Sequence, residues 1–294
     1  MGSAVKLRQK PGTTFRATLK DVLCHGHAFL TTFLATMESL SEISLLNLTL
    51  TLVGGFLAGI INTLAGNGSA ITLTLLTEVL GVPGVVANAT NRVGVFTQST
   101  AGIVGFSQGG KLEWKRGKLI IGLTIAGALV GAYVSTLLSN EEFRQVFRYL
   151  LLGMLVVILI RPKKWLREHS DPLKLPLLVG IPVFLVLGFY GGFIQMGFGV
   201  FFLAVAVLLA RYNLTEANGL KLLVTAVYTL PILLYFHYRG LIDWPIGLLL
   251  AVGQTTGGYL TARFAVRSPQ ANLWAYRILV VMVVVAILRM FDIF

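Results

Sequence analysis

Ile43-Ser-Leu-Leu-Asn-Leu-Thr-Leu-Thr-Leu-Val-Gly-Gly-Phe-Leu-Ala-Gly-Ile-Ile-Asn-Thr-Leu-Ala-Gly-Asn-Gly-Ser-Ala-Ile-Thr-Leu-Thr-Leu-Leu-Thr77 runs for 35 residues without a formal charge. A single straight helix of that length would measure about 50 Å, against a hydrocarbon core of about 30 Å. The segment therefore has to break, and Gly66-Asn67-Gly68-Ser69 is the place where small and polar residues permit it. A second uncharged run of 36 residues, Leu175 to Ala210, is interrupted by Gly197-Phe198-Gly199. Apolar segments interrupted by glycine at matching positions of two halves are the sequence pointer to a transporter binding site.

Composition agrees. The 294 residues are 55% hydrophobic and 12% charged, about half the usual charged fraction of a soluble domain, and mean hydropathy is +0.80. A net charge of +12 invites a nucleic-acid reading. The cations argue against it, because they cluster at the ends of apolar runs and form no stripe with interleaved aromatics. Cys24 is the only cysteine, so disulfides are excluded within the chain. No signal-peptide or myristoylation pattern is expected at the N-terminus, where Lys6 stands in the position that needs Ser or Thr.

Four segments are expected. Residues 1–44 read as a basic tail and an interfacial amphipathic helix, with Leu30, Phe33, Leu34 and Met37 at helical spacing. Within it, Cys24-His25-Gly26-His27 reads as a solvated loop and not a metal site. Residues 45–165 form a first transmembrane repeat, 166–174 a basic cytoplasmic loop, and 175–294 a second repeat. Apolar runs fall at about 93–110, 119–140, 149–160, 218–238, 244–262 and 270–288. The tail and the two basic loops (Lys111 to Lys118, and Arg161 to Lys174) hold 14 of the 24 Lys and Arg. If all three are cytoplasmic, an even number of crossings separates them. Eight spans with both termini inside satisfy this when each broken segment counts as one span plus a re-entrant half-helix. The halves are then parallel. Ten spans with inverted halves is the alternative.

The repeat is visible in the residues. Gly110-Lys-Leu-Glu113-Trp114-Lys-Arg-Gly117 matches Gly240-Leu-Ile-Asp243-Trp244-Pro-Ile-Gly247 at a spacing of 130. Asn88, Asn91 and Gly127 meet Asn218, Lys221 and Gly257 at the same spacing. At 133, Gly55, Phe56, Gly59 and Asn62 meet Gly188, Phe189, Gly192 and Gln195. The fold class is therefore an all-α polytopic membrane protein. It comprises two tandem repeats of about four spans, each opening with a Gly-interrupted broken or re-entrant helix.

Gly59-Ile-Ile-Asn-Thr-Leu-Ala-Gly-Asn-Gly-Ser69, Ala87-Asn-Ala-Thr-Asn-Arg-Val93 and the repeated Gly-x-x-(Glu/Asp)-Trp turns resemble the TauE/SafE sulfite exporter family. That family is also called the toluene sulfonate uptake permeases. The resemblance spans about residues 48–291. Asn67 stands where the family often has Gly, and Thr74 where a Pro often follows the break. The resemblance implies transport of small anions, sulfur oxyanions or organosulfonates.

The residues support an anion independently. A helix restarting after Gly66-Asn67-Gly68 would present free N–H groups at mid-membrane, with Ser69 as its cap and a donor to an oxyanion. Asn62, Asn67 and Gln195 add neutral hydrogen-bonding groups. The plainer alternative is a kink with Ser69 as an ordinary cap. Arg92 and Lys221 sit a few residues into apolar runs, where a cation costs at least about 2.5–3.5 kcal/mol on insertion scales. Each either faces an anion-holding cavity or snorkels to the interface. Asn88, Asn91 and Asn218 beside them either touch substrate or cap helices. Glu78, His237, Glu113 and Asp243 read as structural residues near the membrane surfaces, and the Gly55/Gly59, Gly127/Gly131 and Gly188/Gly192 pairs as close helix contacts.

The expected function is a permease of the cytoplasmic membrane. It moves a small anion through a central site made by two broken helices, with a coupling proton or sodium ion and no cofactor, metal or nucleic acid. A passive anion channel and an intramembrane enzyme built on Ser69 and His237 are the rivals. The second lacks any Gly-x-Ser-x-Gly or His-Glu-x-x-His motif.

Overall fold

The two uncharged runs each fold as a helix, a short interruption and a shorter helix. The structure, a computed structural model, describes residues 44–107, 118–143 and 176–268, with single positions between 145 and 149 and between 270 and 288. The tail, the Cys24–His27 cluster, Glu113, the basic stretches and most of the runs at 149–160 and 270–288 lie outside the described residues.

In chain order, α1 is Leu45–Ala65 and α2 is Gly68–Thr74, continued by a π-helical turn Leu75–Val79. Next come α3 (Gly84–Ser107), α4 (Lys118–Ser135), α5 (Leu177–Phe193) and α6 (Phe198–Leu203), the last continued by a π-helical turn Ala204–Leu209. The described series closes with α7 (Leu214–Tyr238) and α8 (Trp244–Arg267). No strand occurs among the described residues.

Both interruptions reverse the chain. Gly66 takes φ +77°, a left-handed conformation that suits glycine. Beyond it α2 lies back along α1: a Cβ on Gly68 would stand 2.0 Å from Ala58 O, and one on Gly54 would stand 2.8 Å from Leu75 Cδ2. At the second reversal Gln195 and Gly197 take φ 59° and 70°, and Tyr190 packs edge-on against Phe201 with ring centroids 4.9 Å apart. The two tips touch each other, since a Cβ on Gly66 would meet Gly199 Cα at 2.5 Å.

The remaining helices cross-connect the halves. Small residues let α1 run parallel to α8, with Gly253 against Leu52 O and Gly257 against Phe56 O. Likewise α4 runs parallel to α5, with Gly188 against Thr124 O and Gly192 against Ala128 O. Helix α3 runs with α8, Thr90 beside Asp243 and Gly105 beside Ala262. Helices α3 and α7, which correspond at a spacing of 130, are antiparallel: Gly102 meets Leu222, while Arg92 stands over Phe236.

That direction corrects the expectation of parallel halves drawn from loop charges. The broken segment folds back on itself, α2 lying along α1, so the next helix starts from the end at which the segment entered. One end of the molecule therefore holds Leu45, Gly84, Tyr238 and Trp244, and the other Ser107, Leu214 and Arg267. At the first end the described charges include Glu78, Glu141, Glu142, Arg239 and Asp243; at the second they include Arg211, Glu216, Arg263 and Arg267.

Candidate functional site at the two chain reversals

Helix C-termini leave carbonyls without intrahelical donors. Here the donors come from the opposite half. Lys221 Nζ, on α7, donates to Asn62 O at 2.7 Å and Thr63 O at 3.0 Å, both in the last turn of α1. It also donates to Asn218 Oδ1 at 2.7 Å, and Asn218 Nδ2 reaches Leu64 O at 3.1 Å. Arg92, on α3, does the same for α5. Its Nη1 donates to Gly191 O at 2.6 Å and to Gln195 Oε1, and its Nη2 to Gly192 O at 2.7 Å and Asn88 Oδ1 at 3.3 Å. Asn88 Nδ2 completes the cap on Phe193 O at 3.0 Å.

Arg92 and Lys221 are buried, at 0% and 2% exposure, so neither snorkels. Hydrogen bonds to a charged group contribute about 1.5–3 kcal/mol each. Three or four of them, at the negative end of a helix dipole, offset an insertion cost of a few kcal/mol. Asn88 and Asn218 are thus caps, but of the broken helices in the other half and not of their own.

The first reversal is polar. Asn62 Nδ2 donates to Gln98 Oε1 at 2.6 Å, and Gln98 Nε2 donates to Thr63 Oγ1 at 2.9 Å. Asn91 Oδ1 accepts from Thr72 Oγ1 at 2.7 Å and from Gln254 Nε2 at 3.1 Å. Thr72 Oγ1 is also 3.2 Å from Ser69 O, which joins the start of α2 to α3. Left without a partner here are both polar atoms of Asn67, Ser69 Oγ and Asn91 Nδ2, with Ser99 Oγ on α3, and, on the side of the second reversal, Arg92 Nε and Thr229 Oγ1. Asn67 and Asn91 are wholly buried, and Ser69 is 3% exposed. Ser69 is not the cap: α2 starts at Gly68, the capping position is Asn67, and no side chain bonds the first-turn amides. The Ser69 hydroxyl has no hydrogen-bond partner among the described residues.

The second reversal is arranged alike but filled. Gln195 Oε1 accepts from Arg92 and from Tyr228 OH, the latter at 2.8 Å. Phe198 packs edge-on against Tyr228, centroids 4.9 Å apart, and tilts onto Phe202 at 5.8 Å.

Gly66, Gly68 and Asn62 thus sit at the first tip with Asn67 and Ser69, Asn91 joins them from α3, and Gln195 and Arg92 meet at the second. Sequence reading missed Gln98, Gln254, Thr72 and Tyr228. Gln98 had a signal, standing two turns from Asn91 on one helix face of an apolar run; Gln254 is isolated in α8 and had none. Glu78 is exposed at the end of its π-helical turn, and Asp243 caps α8 through Ile246 N at 3.1 Å. His237 is exposed, its Nδ1 3.3 Å from Trp244 Nε1; nothing links it to Ser69.

Apolar helices, buried cations at two touching reversals and unpartnered amides at the first are features that fit an integral membrane protein. Residues 51–290 match the family described as Sulfite exporter TauE/SafE, and the chain belongs to that family of integral membrane proteins. It is 28% identical over 239 residues to the probable membrane transporter protein YfcA of Escherichia coli K12, covering 80% of this chain and 87% of that one. It is 24% identical over 214 residues to the probable membrane transporter protein ORF9 of Sinorhizobium, covering 72% and 81%. A probable membrane transporter protein of Haemophilus influenzae is 25% identical over 209 residues, covering 71% and 81%. No solved structure matches significantly.

Proposed function

We propose that the protein is a secondary transporter moving a small anion, a sulfur oxyanion or organosulfonate, across the cytoplasmic membrane. One observation carries the anion. Arg92 and Lys221 are buried beside the reversals, and no Asp or Glu is buried among the described residues. Their capping bonds satisfy hydrogens but leave two positive charges uncompensated, and in a low-dielectric interior an anion is the partner such charges favour. The sulfur chemistry rests on the family description.

A carrier is favoured over an open channel by the contact of Gly66 with Gly199. Two hairpin tips meeting between the halves close a direct path, and rocking of one half against the other would open it from either side. In this reading the halves are inverted repeats, each opening with a re-entrant hairpin. The end carrying Arg211, Arg263 and Arg267 faces the cytoplasm, because the basic stretches next to Ser107 and Leu177 favour that side. Leu45 then starts from the opposite face. A proton or sodium gradient drives transport.

The test is flux of radiolabelled sulfite, sulfate and a small sulfonate in proteoliposomes, with and without imposed proton and sodium gradients. Saturable flux of one anion, lost in Ser69→Ala while thermal melting in detergent is unchanged, is expected. No flux of any of the three under any gradient would sink the sulfur-anion assignment.

A further inference from the structure

Away from the reversals, a groove on the outside of the helices carries a charge pattern that solute transport does not use. Phe56, Ile60 and Leu64 line it from α1, at a spacing of four that puts them on one face, and Leu260, Thr261 and Phe264 line it from α8. Trp274, beyond the end of α8, completes a groove of about 360 Å³. Apart from the Thr261 hydroxyl and the Trp274 indole N–H, its side chains are apolar.

Positive charge gathers beside the same groove. Leu260, Arg263, Phe264 and Arg267 follow at i, i+3, i+4 and i+7, so one stripe of α8 carries both an apolar wall and two arginines. Arg277 stands over the Trp274 ring at 5.7 Å, and Arg263 over the Tyr259 ring at 5.7 Å. All three arginines are exposed, and among the described residues no acid pairs with them.

In a membrane, acyl chains fill an apolar groove whatever headgroup they carry. Unpaired cations beside it add a preference, since basic pockets between transmembrane helices hold anionic headgroups. We propose that this groove is a binding site for an anionic phospholipid. An acyl chain lies against Phe56, Ile60, Leu260 and Phe264, the phosphate oxygens accept from Arg263, Arg267 and Arg277, and the Trp274 indole sits at headgroup level. A second copy of the chain fits less well, because a twofold contact would set the same three arginines against themselves with no acid to answer them. The site requires the membrane fold but not the anion reading above.

Trp274 is its own reporter, being one of four tryptophans. The full chain with Trp114, Trp165 and Trp244 changed to phenylalanine is reconstituted in mixed phosphatidylcholine and phosphatidylglycerol vesicles. Each lipid in turn is brominated on its acyl chains, so that it quenches an indole it touches, and quenching gives the ratio of binding constants. A companion protein that keeps only Trp244 reports the opposite end. Phosphatidylglycerol is expected to bind at Trp274 at least about fivefold more tightly than phosphatidylcholine, and within about twofold at Trp244. Arg263→Gln combined with Arg267→Gln should bring the Trp274 ratio to within about twofold of unity. So should Ile60→Phe, which fills the groove and leaves the charges; Leu260→Phe serves if that variant melts early. A ratio near unity at Trp274 with all arginines present overturns the proposal, as does a preference that survives their loss. A preference that persists in both phenylalanine variants belongs to the basic face at large and overturns the groove. Absence of quenching by either lipid means that protein covers Trp274, and overturns the proposal as well.

Discussion

The two chain reversals occupy corresponding places, touch each other, and are capped in the same way, yet one leaves buried polar atoms unpaired while the other is packed with aromatics. At a spacing of 130, Asn67, Gly68, Ser69 and Thr72 of the first correspond to Gly197, Phe198, Gly199 and Phe202 of the second. Asn67 and Ser69, which leave unmet hydrogen bonds, correspond to Gly197 and Gly199, while Gly68 and Thr72 correspond to Phe198 and Phe202. Phe198 and Phe202 are each 1% exposed and fill the second reversal with aromatic packing. The common part is reversal plus cation cap; the difference lies in the polar side chains left unpaired in the first half, which the anion proposal uses.

The caps should give the largest effects, and equal ones. Lys221→Met strips three acceptors of their donor and Arg92→Met strips four. Each should lower stability by about 3–5 kcal/mol, as expected when one partner of a buried charged cluster is removed. Thermal unfolding in detergent checks this, and a cap that can be lost at no cost in one half would break the symmetry. Phe198→Ala should cost about 3–5 kcal/mol as well, by leaving a cavity against Tyr228. Its anion affinity, measured by calorimetry, should stay within about twofold of native, since the affected packing lies at the second reversal.

Ser69→Ala should do the reverse. Removing an unpaired hydroxyl leaves stability within about 1 kcal/mol of native, while anion affinity falls about tenfold or more. Calorimetry and melting curves on the same sample separate the two outcomes, and a destabilised Ser69→Ala with unchanged affinity would erase the distinction between the reversals.

The smallest effect lies outside the membrane. Ser139 and Glu142 form a capping box, the backbone N–H and hydroxyl of Ser139 each donating to Glu142 Oε2, at 2.8 and 2.7 Å. These bonds, the backbone one first, hold the Glu142 carboxyl below its ordinary range. Its contribution is therefore present above the unfolded-state value and is lost as pH falls through the lowered one. Lower protection against amide exchange at Glu142 and Phe143 on acidification, relative to the intrinsic rate at each pH, and little change at the reversals, is the expected pattern.

Much of this was legible in order along the chain. Charge-free runs too long for one crossing demanded interruptions, and the glycines said where. Gly59 and Gly192 announced close helix contacts by size alone: a Cβ on them would stand 2.3 Å from Gln254 O and 1.9 Å from Ala128 O. Arg92 and Lys221 stood out because cations in apolar runs must be answered. What answers them was not legible. Each reaches about a hundred residues or more along the chain to carbonyls, and a carbonyl carries no sequence signature. Gln98 was within reach of a face-counting argument, whereas Gln254 became polar lining only because α8 packs beside α3.

The sequence by itself determined the helical membrane class, the places where the chain breaks and the presence of two cations inside apolar runs, because each follows from local hydropathy and backbone freedom. The tertiary structure alone decided that the broken segments fold back, that corresponding helices run in opposite directions, and that each half caps the other. It also decided that one of two matching reversals is filled. Those are outcomes of long-range packing, in which a phenylalanine at one tip and an asparagine at the other acquire their roles from the neighbours that the fold brings to them.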